Sequence, residues 1–149
     1  MSTSADLLEA PTRAYGRALE KLRTAGLRPT RQRLALGKLL LENGDRHVTA
    51  EDLYHEACRA GIPVSLATVY NTLNQFTEAG LLREIVVEPG RTYFDTNTRH
   101  HHHFYDERTG CLSDIEERDV EISRLPQAPF GTEIDRVEVI VRLRAAEAD

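Results

Sequence analysis

The apolar residues of this chain change their spacing near Leu82. Before that point they recur every three or four residues in four segments, each followed by a glycine, which is the pattern of amphipathic helices. After it, Leu82 to Val87 and Thr92 to Asp95 have the pattern of two strands joined by a Pro-Gly turn. The expected helices cover residues 11–25, 30–43, 49–60 and 66–78. Helices followed by a β-hairpin predict a winged helix, which is an elaborated helix-turn-helix.

The chain after residue 95 predicts a second, smaller domain. A hinge at 96–100 is followed by a histidine-rich strand, a strand ending at Ile115, a charged helical stretch at 116–124 and a last strand at 133–143. Three short strands are marginal alone, so we expect this sheet to pair with a second copy. The predicted fold class is α+β, with an N-terminal winged helix-turn-helix domain at 1–95, a hinge at 96–100 and a small α/β dimerisation domain at 101–149.

Charge is distributed unevenly along the chain, whose net charge is −5. Residues 11–83 carry 11 Lys/Arg against 7 Asp/Glu, whereas residues 84–149 carry 8 against 15. A basic half beside an acidic half indicates that the first half contacts an anion such as double-stranded DNA. Ordinary fluctuation in composition is the alternative explanation.

The segment from Ser65 to Phe76 predicts the helix that contacts DNA bases. Its apolar residues share one face, and the opposite face carries hydroxyls, amides and a tyrosine without a charged residue. Base edges in the major groove are recognised by such groups and by apolar contact with thymine methyls. A polar face that packs on a partner protein is the alternative. The candidate base-contacting residues are Ser65, Thr68, Tyr70 and Asn71.

Basic residues around the second predicted helix are candidates for contacts with the DNA backbone. Arg28, Arg31 and Arg33 lie at its start, and Lys38 lies farther along it. Arg28, just before the helix and beside Pro29, is also suited to reach a minor groove. For each of these arginines, a solvated surface charge is the alternative.

Four of the six histidines are consecutive, from His100 to His103. Alternate side chains of a strand share a face, so we expect His101 and His103 on one face and His100 and His102 on the other. With a turn near residue 108, His103 would lie opposite Asp114 and on the same face. This pattern predicts two imidazoles and a carboxylate in one small volume.

Two further ligands become available if the two domains fold toward each other. They are His47, which precedes the third helix, and Asp95, at the end of the wing. Three imidazoles and two carboxylates without a thiolate suit Fe²⁺ or Mn²⁺ better than a tetrahedral structural Zn²⁺. The expected metal ligands are His47, Asp95, His101, His103 and Asp114.

The sequence also argues against several classes of protein. Cys58 and Cys111 are the two cysteines and form no CxxC pair, so neither a disulfide framework nor a CxxC structural zinc site is expected. No apolar run is long enough for a membrane span, and residues 1–10 lack a secretion signal, so the expected location is the cytoplasm. An iron oxygenase would use similar ligands but leaves the polar helix unexplained, so we expect no enzyme.

Taken together, these segments resemble the ferric uptake regulator (Fur) family over nearly the whole chain. The segments that carry the resemblance are Gly26–Arg33, His47–Tyr54, Ser65–Leu73 and the histidine run. Within the family, the most similar branch is that of the iron response regulators (Irr). The stretches that suggest this branch are Ser65–Leu82, Thr92–Asn97 and His101–Phe104.

The resemblance implies roles for the residues named above. It implies that Tyr70 and its helix enter the major groove, that Arg28 enters the minor groove, and that the five expected ligands form a regulatory metal site. The Irr branch further implies haem at His101, His102 and His103, a haem-delivery protein as partner, and control of iron and haem genes. The implied operators are AT-rich inverted repeats bound by a homodimer. The Cys-Pro haem motif of some Irr proteins is absent from this chain.

Two alternatives within the family use the same ligands. One is a peroxide sensor of the PerR type, in which Fe²⁺ at this site drives oxidation of His47 or His101. The other is a generic Fur-type iron-dependent repressor. Because the ligands coincide, the sequence does not separate these functions from that of an Irr-like regulator.

Overall fold

The computed structural model describes residues 16–148, which form two compact units. The first unit ends at Thr98 and the second begins at Arg99. The start expected for the first helix, at residue 11, lies outside the described residues. Among residues 16–148, no helix is long and apolar enough to cross a membrane.

Four α-helices lie among the described residues, all in the first unit, and they confirm the four predicted segments. They are α1 (Gly16–Thr24), α2 (Arg31–Leu41), α3 (Ala50–Arg59) and α4 (Leu66–Glu78). Thr30, Thr49 and Ser65 cap α2, α3 and α4, because each hydroxyl accepts a hydrogen bond from a backbone N–H in the first turn. Glycines with positive φ follow the helices, since only glycine adopts this conformation without strain.

The core of the first unit is formed by the apolar faces of these helices. Leu22, Leu36, Leu53, Leu73 and Phe76 are fully buried in it. The buried side chains of α4 are Val69, Leu73 and Phe76, at the predicted three- and four-residue steps, together with Thr72, and the opposite face of this helix is left exposed.

The predicted hairpin is confirmed, and a short strand joins it. The strands β1 (His47–Val48), β2 (Arg83–Glu88) and β3 (Arg91–Asp95) form an antiparallel sheet in the order β1-β3-β2. The β1 strand was not predicted, because two residues are too few to show an alternating pattern. Its register pairs His47 with Asp95.

The second unit contains a three-stranded sheet in the order β5-β4-β6. Its strands are β4 (His102–Asp106), β5 (Cys111–Ile115) and β6 (Ile140–Leu143). The β4 and β5 strands are antiparallel and pair His103 with Asp114, which confirms the predicted register. The β6 strand pairs with β4 in parallel.

Two predictions for the second unit are wrong. The expected helix at 116–124 is a single 3₁₀ turn at Glu117–Asp119, because Val120 is extended and few apolar side chains in this stretch find a surface to pack on. The expected strand at 133–143 is a strand only at Ile140–Leu143. Residues 140–143 pair with residues 103–106 of β4, which is only five residues long. Residues 133–139 pair with no strand among the described residues.

Candidate metal ligands and nucleic-acid interface

The first unit brings together one histidine and one carboxylate. The Nε2 atom of His47 lies 3.1 Å from Oδ2 of Asp95, whose side chain is fully buried. The other carboxylate oxygen of Asp95 accepts a hydrogen bond of 2.8 Å from the backbone N–H of Asn97. A buried carboxylate is costly unless it is paired or binds a cation, so this pair has the chemistry of metal ligands.

Arg46 holds the strand ends that carry this pair. Its backbone N–H donates to Oγ1 of Thr96 at 2.8 Å, and its carbonyl accepts from the N–H of Thr96 at 3.0 Å. Its guanidinium makes a bidentate contact with Glu56 of α3, at 2.9 and 2.6 Å. Since Arg46 and Thr96 adjoin His47 and Asp95, these contacts position both candidate ligands, a role that the sequence did not reveal.

The second unit brings together two histidines and a carboxylate. His101, just before β4, and His103, on β4, share one face as predicted, with their ring centroids 4.4 Å apart. The Oδ1 atom of Asp114 on β5 lies 3.2 Å from Nε2 of His101 and 3.5 Å from Nε2 of His103. Both imidazoles are buried, whereas Asp114 is exposed, so the group is open to solvent on the carboxylate side.

The hydrogen bond of His101 defines which tautomer its neutral ring adopts. Its Nδ1 lies 2.5 Å from the carbonyl oxygen of Arg99, which can only accept, so Nδ1 carries the proton. In the neutral ring, Nε2 then presents its lone pair to Oδ1 of Asp114. Two acceptors at this distance are well satisfied by a cation between them, so these residues fit a divalent metal.

The other face of the histidine run has a structural role. The Nδ1 atom of His102 accepts a hydrogen bond of 3.0 Å from the backbone N–H of Val139, and the ring packs edge-on against that of His100. Burial lowers the pKa of His102, because it disfavours the charged imidazolium. His102 therefore fastens Val139 to β4, and its Nδ1 is not available to haem iron.

The donor set of both units suits a hard or borderline metal. Nitrogen and carboxylate oxygen atoms surround each candidate position, and no thiolate takes part, since Cys58 and Cys111 are exposed and belong to neither ligand group. Imidazole and carboxylate groups are ligands of divalent metal ions, so the residues of both groups are candidate metal ligands.

The exposed face of α4 presents the residues expected to contact bases. Tyr70 and Asn71 are exposed, and Thr68 is half-buried. Ser65 is the N-cap of the helix, and its hydroxyl bonds to the backbone N–H of Thr68 at 3.1 Å and to the Thr68 hydroxyl at 2.9 Å. Ser65 therefore fixes where the helix begins, and Thr68, Tyr70 and Asn71 form its accessible surface.

The start of α2 lies beside this face. Arg28 and Arg31 are both exposed, as phosphate contacts require. A cleft of about 480 Å³ separates the two elements and is lined by Arg28 on one side and by Thr68 and Asn71 on the other. Its rim therefore combines positive charge with neutral hydrogen-bonding groups.

Glu51 orients the predicted base-contacting tyrosine. The hydroxyl of Tyr70 donates a hydrogen bond of 2.8 Å to Oε1 of Glu51, at the start of α3. This bond raises the pKa of Tyr70, because deprotonation would break it and place two negative charges together. The ring face stays available for apolar contact with a thymine methyl.

Replacing Glu51 with glutamine is expected to lower the pKa of Tyr70 towards that of an ordinary tyrosine. The neutral amide oxygen of glutamine accepts a weaker hydrogen bond from the Tyr70 hydroxyl than a carboxylate does, and the charge that opposes phenolate formation is lost. Ultraviolet absorbance titration measures the effect, and Tyr70→Phe identifies which part of the signal belongs to this residue. An unchanged titration in Glu51→Gln would show that the contact has no influence in solution.

The fold and these side-chain groups together define a class of protein. A winged helix with an uncharged polar face on its fourth helix, together with histidine–carboxylate groups, is characteristic of metal-binding DNA-binding proteins. The model of the ferric uptake regulator family matches residues 24–141. The chain belongs to this family, which confirms the resemblance found in the sequence. Membership of a family of regulators also agrees with the expectation that the chain is not an enzyme.

Individual relatives support the same assignment. The ferric uptake regulation proteins of Shigella flexneri and Escherichia coli K12 are 43% and 42% identical to this chain over 81 residues. These matches cover 54% of this chain and 55% of each relative, so the chain spans about half the length of the relatives it matches.

Solved structures extend the similarity along the chain. The ferric uptake regulator of Pseudomonas aeruginosa with manganese has a TM-score of 0.66 and 27% identity, covering 87% of this chain and 98% of that one. The regulator of Vibrio cholerae has a TM-score of 0.67 and 28% identity, covering 85% and 98%. The α+β fold with a winged helix is therefore shared with these proteins.

Proposed function

We propose that this protein is a metal-responsive transcriptional regulator that binds double-stranded DNA as a homodimer. The observation that carries the proposal is the pairing of imidazole and carboxylate groups within each unit, in a chain whose α4 helix exposes uncharged hydrogen-bonding groups. The first feature is the chemistry of a metal sensor, and the second is the chemistry of a base-contacting helix.

The proposed regulatory site uses both ligand groups. His47 and Asp95 would contribute from the first unit, and His101, His103 and Asp114 from the second. A metal held by both units would limit their relative orientation, and thereby the spacing of two α4 helices in a dimer. The manganese named for the Pseudomonas aeruginosa structure supports Mn²⁺ or Fe²⁺ as the metal.

The proposed dimer uses the second unit. Large apolar side chains are exposed there, as expected for a surface that pairs with a second copy. They are Ile122, Leu125, Phe130 and Ile134. A symmetric dimer places two recognition helices in successive major grooves, so the operator would be an inverted repeat with half-sites about 10 bp apart.

The test of the proposal is a series of DNA-binding measurements on metal-free, Mn²⁺-loaded and haem-loaded protein. The DNA is a duplex obtained by selection from a random library. We expect Mn²⁺ to change the affinity for this duplex at least severalfold relative to the metal-free protein. Equal affinity with and without Mn²⁺ would contradict metal-responsive regulation.

Replacing Tyr70 with alanine is expected to cost about 1–3 kcal/mol of binding free energy on the selected duplex. The loss on random DNA should be much smaller, because contact with thymine methyls in an AT-rich site depends on sequence. Fluorescence anisotropy on both duplexes measures the difference. Equal losses on the two duplexes would exclude α4 as the element that recognises sequence.

Arg31→Ala provides the matched contrast for Tyr70→Ala. Arg31 is exposed at the start of α2, as a phosphate contact would be. Its loss should weaken binding to both duplexes alike, because one fewer phosphate is neutralised. The slope of the logarithm of the binding constant against the logarithm of salt concentration should fall in magnitude by about one unit.

The more specific proposal is a cytoplasmic iron or haem regulator of the Irr type, with haem or a haem-delivery protein as partner. It depends on the sequence of the histidine run, but His101, His102 and His103 are all buried, which favours the metal ion over haem as effector. If the absorption spectrum of the haem-loaded protein changes in the His101→Ala variant, that change would support haem ligation by this residue. Peroxide sensing at the same ligands would instead appear as loss of DNA binding after exposure of Fe²⁺-loaded protein to peroxide.

A further inference from the structure

Gln75 lies on the same face of α4 as Thr68 and Asn71. It is exposed, and it follows Asn71 by one helical turn. With Thr68 and Asn71 it lines one side of the cleft beside α2. Its side chain therefore belongs to the same surface as the residues expected to contact bases.

Arg33 of α2 donates two hydrogen bonds to the amide oxygen of Gln75. Its Nε and NH2 atoms donate to Oε1 of Gln75 at 3.2 and 3.0 Å, across 42 residues of sequence. Its NH1 atom donates to the carbonyl of Arg28 at 2.9 Å, which fixes the guanidinium from the other side. Because a guanidinium carries donors alone, the oxygen of the amide, and not its nitrogen, faces Arg33.

This contact decides what Gln75 can offer to a ligand. A carbonyl oxygen has two lone pairs, and Arg33 fills both, so the remaining capacity of the side chain is the two N–H donors of Nε2. The common pairing of glutamine with adenine needs the amide oxygen to accept from N6 while the nitrogen donates to N7. With its oxygen occupied, Gln75 cannot form that pair. Its N–H groups can still donate to guanine N7 and O6 or to thymine O4, whereas adenine offers N7 alone, beside an N6 donor that opposes a second N–H.

We infer that Gln75 is a specificity-determining residue for DNA, which Arg33 holds as a donor so that it contacts the acceptor edge of guanine or thymine and disfavours adenine. The inference rests on the proposed function as a DNA-binding regulator. A phosphate oxygen also accepts hydrogen bonds, but Gln75 shares its face with the uncharged side chains of Thr68 and Asn71, as base-contacting residues do. Arg33, which the sequence suggested as a phosphate contact, is on this account a positioning residue.

The first test replaces Gln75 with glutamate. One carboxylate oxygen keeps the contact with Arg33, and the other presents an acceptor where Gln75 presents its donors. Cytosine N4 is the donor that a glutamate accepts from. In selection from a random duplex library with the Mn²⁺-loaded full chain, we expect one position of each half-site to change from guanine or thymine to cytosine. The change in preference should be on the order of tenfold.

The second test removes the positioning residue. Arg33→Met releases the amide oxygen of Gln75, so adenine should rise at the same position, again on the order of tenfold relative to the wild-type protein. A residue that only stabilised the fold would alter affinity without changing which base is preferred. Gln127→Glu, the same change at an exposed glutamine of the second unit, should leave all preferences unchanged.

The outcomes separate this inference from the proposed function. If the wild-type protein selects no motif, the proposed function and the inference both fail. If it selects a motif that Gln75→Glu leaves unchanged at every position, the inference alone fails. An affinity loss in Gln75→Glu that is equal on all sequences, and that disappears when one phosphate of the duplex is replaced by methylphosphonate, would identify a phosphate contact and overturn the inference.

Discussion

Replacing His103 with alanine is expected to abolish high-affinity binding of Mn²⁺. The side chain is fully buried, and its Nε2 atom lies 3.5 Å from Oδ1 of Asp114, beside the Nε2 atom of His101. Loss of an outer-shell partner typically costs about 10- to 100-fold in metal affinity, and loss of a direct ligand should cost at least as much. Isothermal titration calorimetry with Mn²⁺ and the metal-free protein measures the change.

Three further variants make this result specific. Asp114→Asn removes a ligand at an exposed position and should also weaken binding while the fold is retained. His55→Ala, at an exposed position of α3, should leave the affinity unchanged. His47→Ala tests whether the first unit contributes, and it should weaken binding if both units supply ligands. Equal affinities for His103→Ala and His55→Ala would exclude the histidine run as the metal site.

Replacing Phe76 with alanine is expected to lower the free energy of unfolding by about 3–5 kcal/mol. Phe76 is fully buried on the inner face of α4, in the core that also contains Leu36, Leu53 and Leu73. The loss combines the transfer free energy of the ring with the cost of the cavity that it leaves. Urea unfolding followed by circular dichroism measures the change in the first unit, which contains all the α-helices among residues 16–148.

Asn74→Ala is the matched control, because Asn74 lies on the same helix but is exposed. Substitutions at such positions usually change the free energy of unfolding by less than about 0.5 kcal/mol. Similar unfolding midpoints for the two variants would show that packing of the inner face of α4 does not stabilise the first unit. The comparison also matters for function, because the same packing orients the face of α4 that is proposed to contact DNA.

The helices and their ends could be predicted from the sequence because their determinants are local. Thr30, Thr49 and Ser65 each accept a hydrogen bond from a residue three positions later, and the glycine that ends each helix lies next to it in the chain. The pairing of His103 with Asp114 was predictable for the same reason, since the strands are joined by a short turn that sets their register.

The failures of prediction occurred where distant parts of the chain decide the structure. Residues 116–124 have helical character but form no α-helix, because a short amphipathic segment depends on a surface against which to pack. The β1 strand exists because its two residues pair with β3, far along the chain. The contact between Arg46 and Glu56 was not predicted either, since surface charges at that spacing are common and most have no fixed partner.

The sequence by itself determined which chemical groups this protein can use and on which face of each helix or strand they lie. Periodicity placed His101 with His103, and Tyr70 with the amides of α4, because both patterns follow from backbone geometry alone. The tertiary structure alone decided how those groups are presented. The tautomer of His101 depends on the carbonyl of Arg99, and the outward donors of Gln75 depend on Arg33. Hydrogen-bonding partners are selected by proximity in space. Whether a histidine or an amide offers a donor or an acceptor to a ligand is therefore defined only once its partner is in place.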